Sequence, residues 1–242
     1  MSIKPTYISP KFKKKTNPKV GLLALSTDLT IENDFQSICQ KLPFDLFVNR
    51  IHNENPLTKE NLLKMYDQIE TVTEKILPGQ KINTIAYGCT SGTIAIGEDK
   101  VKEKVQLAKP DCYVTTPITS AIKAFKEMNV KKIALFTPYP ESVNKTILEY
   151  FDRKNINIIS FSTYNIDLDE DIASVDPKYL LETLIKLDTN NADALFISCT
   201  ALPALEIIDE VEKKIGKIVL SSNQTLIWDT LRSVGYKSSV KG

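Results

Sequence analysis

Histidine is almost missing from this sequence: His52 is the only one in 242 residues. A His-rich metal site is therefore excluded, and any Ser-His or Cys-His nucleophile pair would rest on that one side chain. Glycine is scarce too, at 8 residues, well under the roughly 7% of average usage. Neither GxGxxG nor GxxxxGK[ST] occurs, so there is no dinucleotide or P-loop fingerprint. Net charge is small, with 31 Lys plus Arg against 30 Asp plus Glu. That balance gives no electrostatic reason to expect nucleic acid or an anionic membrane as a partner. No apolar run reaches the length of about 18 residues that a membrane span needs. The first 19 residues hold six lysines but no apolar signal-peptide core. Residues 11–19 read as a solvated arm. The four cysteines, Cys39, Cys89, Cys112 and Cys199, show no zinc spacing, so reduced thiols in a cytoplasm are the default expectation.

What the sequence does contain is an alternation. Short β-branched runs suit strands at 20–25, 46–49, 82–87, 112–115, 132–136, 156–161, 194–198 and 217–220. Helical stripes lie between them: Leu62, Ile69, Val72 and Ile76; Val143, Ile147, Leu148 and Phe151; Ile207, Ile208, Val211 and Ile215. Thr58 and Ser142 suit helix starts, and Pro177 and Pro203 suit first turns. Strict β-α alternation with buried-type strands predicts an α/β fold with parallel sheets covered by helices.

The chain also repeats. Residues 86–91, Ala-Tyr-Gly-Cys-Thr-Ser, resemble residues 196–201, Phe-Ile-Ser-Cys-Thr-Ala, 110 positions later. Residues 19–24 resemble 132–137, and 114–122 resemble 219–227. Three matches in one order imply two homologous halves of four β-α units. In each half a cysteine falls in a strand-to-helix turn, where unpaired N–H groups and the helix dipole favour a thiolate and hold carboxylates. A pseudo-twofold would bring Cys89 and Cys199 to face each other across one cleft. Two opposed thiols suit proton transfer at one carbon, one as base and one as acid. They equally suit addition of a thiolate to an activated double bond. Cys39, on an apolar helix face, and Cys112, at a strand start, read as small core hydrophobes. His52 reads as a surface residue in the polar run 50–55.

These motifs resemble the aspartate/glutamate racemase superfamily, in the maleate isomerase and arylmalonate decarboxylase group. The stretches that carry the resemblance are residues 21–32, Gly88-Cys-Thr-Ser91, residues 135–139 with Asn144, Ser198-Cys-Thr200 and Ser221-Ser-Asn-Gln224. Ser26-Thr27-Asp28 is most similar to the ectoine-utilisation branch. The resemblance implies two doubly wound parallel-sheet domains related by a pseudo-twofold, with the fourth unit of each half exchanged. The domains would then be 1–112 plus 218–242, and 113–217. It places catalytic cysteines at Cys89 and Cys199, and carboxylate binding at Thr90, Ser91, Tyr139, Thr200 and Ala201. Tyr139 also has a plainer reading, as part of a rigid Thr-Pro-Tyr-Pro turn.

Two departures stand out. Decarboxylases of the group keep only the second cysteine; both are present here. Where maleate isomerases have an asparagine against a substrate carboxylate, this chain has Asp28, and a second such position falls near Asp169. An aspartate repels a second carboxylate but pairs with an ammonium; alternatively, Asp28 only caps the helix beginning near Ile31. The resemblance therefore implies a cofactor-independent racemase or epimerase of a small amino acid, ectoine-derived diamino or hydroxyamino acids being among the candidates. Alternatives are cis–trans isomerisation of a maleate-like diacid through a cysteine adduct, or a non-catalytic carboxylate-binding protein. No metal, flavin, nicotinamide or pyridoxal motif is visible, and the family suggests a homodimer.

Overall fold

The computed structural model describes residues 4–13, 15–40 and 42–240, so Lys14 of the basic arm lies outside the described residues. Residues 4–13, which include the start of that arm, are exposed and without regular structure. Two separate parallel sheets follow. The first holds β1 (Lys19–Leu25), β2 (Asp45–Ile51), β3 (Thr84–Tyr87) and β4 (Tyr113–Thr115) in the order β2-β1-β3-β4. The second holds β5 (Lys132–Thr137), β6 (Asn157–Thr163), β7 (Ala194–Ile197) and β8 (Ile218–Ser221) in the order β6-β5-β7-β8. The first half carries helices α1 (Ile31–Cys39), α2 (Lys59–Lys64), α3 (Ile69–Glu74), α4 (Thr90–Ile96), α5 (Glu98–Ala108) and α6 (Pro117–Glu127). The second carries α7 (Glu141–Arg153), α8 (Asp169–Ala173), α9 (Pro177–Leu184), α10 (Ile208–Ile215) and α11 (Ser222–Ser233).

Each expected strand is present, with ends shifted by at most two residues. Central strands β3 and β7 are buried at every position, as parallel strands covered on both faces must be, while edge strands β2 and β6 are only partly buried. The helices follow the sequence less closely. Thr58 does cap α2, accepting the Asn61 N–H, but the stripe from Leu62 to Ile76 is broken by a 3-10 turn at Met65–Gln68. Pro140 rather than Ser142 precedes α7, because its fixed φ of −67° already sets the entry to the helix. Pro177 sits in the first turn of α9, while Pro203 lies in a loop ahead of the 3-10 turn Leu205–Ile207.

The exchange between halves also differs in detail from the division at 112/113 and 217/218. β4 stays paired with β3, and β8 with β7. What crosses over is the helix after each strand. From α6, Phe125 packs its ring on Phe151 and Phe196 of the second half. From α11, Asp229 accepts hydrogen bonds from Tyr113 and Thr115 of β4, and Ser233 meets Thr84 of β3. Strand pairing is local and survives the exchange; the apolar helix faces cover the opposite sheet.

The strand orders fix where ligands can bind. The neighbours of β1 and β3 are reached in opposite directions, and likewise those of β5 and β7, so connections diverge at these pairs. In open parallel sheets the crevice at such a switch point lies beyond the carboxyl ends of the strands.

Candidate active site

The switch points of both sheets face one enclosed cavity. Leu25 and Asp28 come from the end of β1, Cys89, Thr90 and Ser91 from β3, Tyr139 from β5, Asp169 from beyond β6, and Cys199, Thr200 and Ala201 from β7. None of these side chains is more than 5% exposed. Every site residue picked out from the sequence is in this set, and Leu25 joins them. The free space, about 10 Å3 at the centre of a water-sized sphere, is room for roughly one water. A roomier cleft of about 240 Å3 lies beside Trp228, but its charged lining is only Glu127 and Arg232.

The two thiols are held differently. Cys89 is the N-cap of α4, and its Sγ accepts the Gly92 N–H at 3.2 Å. Glycine is required there: a Cβ on residue 92 would lie 2.8 Å from Cys89 Sγ and 3.0 Å from the Tyr87 hydroxyl. Cys199 is fixed through its backbone, donating to Ser222 Oγ at 3.1 Å, and Ser222 Oγ also accepts from Thr90 at 2.9 Å. Thr200 donates to the Gly88 carbonyl at 3.3 Å, so each cysteine turn is tied to the opposite half. Tyr139 stands beside Cys199, its turn held by Asn144 and Thr163 on its carbonyl. The rigid turn and the cavity wall are thus the same structure.

Asp28 serves the helix and the cavity at once. Its Oδ1 accepts the N–H groups of Thr30 and Ile31 at 2.8 and 2.9 Å, while its buried Oδ2 has no hydrogen-bond partner. Arg50 grips the same loop by donating to the carbonyls of Leu25 and Asp28. Asp169 Oδ2 accepts from Asn53 at 2.7 Å and Thr27 at 3.1 Å.

The expected lowering of the thiol pKa values is not what this closed form shows. Burial, then the Asp169 carboxylate, pushes Cys89 up to about 12, against the Gly92 N–H and the Ser91 hydroxyl. The same two causes push Cys199 further, against the Tyr139 hydroxyl and the Ala201 N–H. Local donors are present, but desolvation and like charge outweigh them. Burial raises Asp169 to about 6 and raises Asp28 against its two N–H donors. Cys39 and Cys112 are buried away from this cavity. Among the described residues, no group of three His, Cys, Asp or Glu is placed to hold a metal ion.

Sequence reasoning missed Asn53, Thr27 and Ser222 as supports. Asn53 sits in a polar run that reads as surface, yet it is 7% exposed. Ser222 was within a family-like stretch, but nothing in its spacing pointed to the Cys199 N–H.

A sequence model of the arylmalonate decarboxylase family matches residues 58–242. The maleate isomerase of Geobacillus stearothermophilus is 25% identical over 238 residues, spanning 92% of this chain and 94% of that protein. Among solved structures, the maleate isomerase Iso from Pseudomonas putida S16 superposes with a TM-score of 0.85 at 19% identity, over 93% of this chain and 96% of that one. A Nocardia farcinica maleate cis-trans isomerase mutant with a covalently bound succinylcysteine intermediate gives a TM-score of 0.84 at 19% identity, with the same coverage of 93% and 96%.

Proposed function

From the premise that this chain belongs to the arylmalonate decarboxylase family, we propose that it is an isomerase working without a cofactor, which exchanges the α-proton of a small amino acid between Cys89 and Cys199. The observation that carries this reading is the charge of the cavity. Its lining holds two thiols and two carboxylates, and none of its described lining residues is Lys, Arg or His. A dicarboxylate would face Asp28 and Asp169 with no cation in the cavity wall, the Arg50 charge reaching Asp28 only from outside the lining. An amino acid brings its own cation, and the unpartnered Oδ2 of Asp28 is a ready acceptor for its ammonium. The Thr90 and Thr200 hydroxyls already donate to Ser222 and Gly88, so the donors for its carboxylate are the backbone N–H groups of the turns at Thr90, Ser91, Thr200 and Ala201.

The ammonium also makes the chemistry easier. It offsets the carboxylates that hold both thiols up, so a thiolate forms at lower pH once substrate is bound. One thiolate takes the α-proton, forming S–H as C–H breaks. The other thiol returns its proton to the opposite face of the carbanion, and the charge moves from one sulfur to the other. The likeness of Ser26-Thr27-Asp28 to the ectoine-utilisation branch makes ectoine-derived diamino or hydroxyamino acids the first substrates to try. Free thiols suit a cytoplasmic setting.

The test is solvent exchange. In D2O the enzyme is expected to place deuterium at the α-carbon, and Cys89→Ser or Cys199→Ser to slow this about a hundredfold or more. Amino-acid binding without exchange would sink the reading and leave a binding protein. A second reading, cis–trans isomerisation of a maleate-like diacid, is favoured by the names of the relatives. It predicts a maleate-dependent mass increase on one cysteine and no need for an amine.

A further inference from the structure

A cavity with room for about one water admits no substrate unless part of its wall moves. The exchanged helices oppose a swing of the two halves. α6 is packed into the second half through Phe125, and α11 is tied to the first through Asp229. Asp229 also binds Lys123 and Ser120 of α6, so the two crossing helices hold each other. Separating the halves would break all of this together.

One stretch of wall is attached more lightly. Residues 53–57 of the first half meet residues 167–170 of the second at the cavity edge. Asn53 Nδ2 donates to Asp169 at 2.7 Å, with Thr27 adding a longer bond to the same oxygen at 3.1 Å; Asn55 Nδ2 donates to Glu170 at 2.9 Å and its Oδ1 accepts the Asp169 N–H at 3.4 Å; and the Leu57 N–H donates to the Asp167 carbonyl at 2.8 Å. On the outer side Asp167, Leu168 and Glu170 are exposed, so lifting this strip uncovers little packed core. Segments with few buried apolar contacts are those that open at low free energy.

We propose that residues 167–170 form a gate over the two thiols, and that Asn53, with Asn55, is the positioning residue that clasps it shut by holding Asp169 in the cavity wall. The gate serves any ligand of this site, so the inference does not depend on which reaction the site performs.

The thiols report the gate directly, and Cys39 and Cys112 are internal controls. Alkylation of the full chain by iodoacetamide is followed cysteine by cysteine with peptide mass spectrometry. Asn53→Ala removes a hydrogen bond to a carboxylate and is expected to speed alkylation of Cys89 and Cys199 about tenfold or more. Asn55→Ala, at a half-buried position, gives a smaller rise. In both, Cys39 and Cys112 keep their wild-type rates. Lys123→Met, which loosens the crossing helices, leaves Cys89 and Cys199 unchanged. The proposal is overturned if the Asn variants leave those two rates unchanged, or speed all four cysteines alike. It is equally overturned if Lys123→Met speeds Cys89 and Cys199 as much as Asn53→Ala does. Should Asn53→Ala not fold, Asn55→Ala alone decides, on the same outcomes.

Discussion

Replacing Asp169 by asparagine is expected to stabilise the protein at pH 8, and to do so less as the pH falls. Asp169 is 4% exposed. Burial raises its carboxyl from 3.8 to about 6, opposed by the Thr27 hydroxyl, with the charges of Asp28 and Glu170 adding to the rise. A carboxyl whose folded pKa lies above its unfolded one favours the folded state when protonated. That contribution is complete below pH 3.8 and is lost as the pH rises through about 6. At 1.36 kcal/mol per unit, about 3 kcal/mol is lost by pH 8, and about half of that at pH 5. Asparagine carries no such loss, and its Oδ1 still accepts from Asn53 and Thr27. At roughly 2–4 °C per kcal/mol for a chain of this size, Asp169→Asn raises Tm by up to about 10 °C at pH 8 and about half as much at pH 5. Calorimetric melts of both proteins at both pH values make the comparison. An equal shift at the two pH values, or a lower Tm at pH 8, would refute the reasoning. A higher Tm together with lost α-proton exchange would mark a carboxylate retained for function against stability.

Other expectations follow from single contacts. Gly92→Ala places its Cβ 2.8 Å from Cys89 Sγ; overpacking of this kind costs about 1–3 kcal/mol, so both Tm and exchange should fall, and an unchanged Tm would contradict the geometry. Asp229→Ala strands Lys123, Tyr113, Thr115 and Ser120 without their shared acceptor. A loss of about 2–4 kcal/mol is expected in urea unfolding, and a shift under about 0.5 kcal/mol, the size of an ordinary surface substitution, would show that the crossing helices do not depend on it. All four thiols are raised by burial, Cys112 least, to about 11. Thiolate absorbance near 240 nm is therefore expected to be absent from the ligand-free protein at pH 8, and its presence there would mean that the cavity is open or wet.

The sequence showed the layout of the fold and the members of the site, but not the contacts that close it. Strand positions were legible because both faces of β3 and β7 are covered, which demands unbroken apolar runs. The site was legible because the repeat marks two matched turns and because parallel sheets present ligands at strand ends. The resemblance places the exchange one element too early, at the strands β4 and β8 instead of the helices after them. Strands pair with neighbours through the backbone, whereas helices are placed by apolar side chains that fit either sheet equally well on paper. Asn53 was hidden for a similar reason: a polar residue in a polar run looks solvated, and only the approach of Asp169, 116 residues away, buries it. The state of the thiols is not legible in the motif, where the N–H donors are local and visible, because desolvation and the Asp169 charge arise only when the halves close.

The repeat makes the two thiols look interchangeable, and the structure makes them unequal. Behind Cys89 stands α4, which fixes the Gly92 N–H on its sulfur. Behind Cys199 the chain turns through residues 200–204 before the short 3-10 turn, and the sulfur relies on the Ala201 N–H of that turn and on a tyrosine hydroxyl from another strand. Both thiols feel burial and Asp169, so the better-supported Cys89 is raised to about 12 and Cys199 beyond it. In a two-thiol proton transfer, one enantiomer presents its α-hydrogen to Cys89 and the other to Cys199. Enantiomers are equal in free energy, so racemisation fixes kcat/KM to be the same in both directions whatever the thiols do. The inequality must then appear as different kcat values with KM changed in proportion. The faster direction is the one that starts from the Cys199 thiolate, the less stabilised and therefore stronger base, and Gly92→Ala should narrow the gap by weakening the support on Cys89. Equal kcat values in the unmodified enzyme would mean that bound substrate, rather than the fold, sets the basicity of both sulfurs.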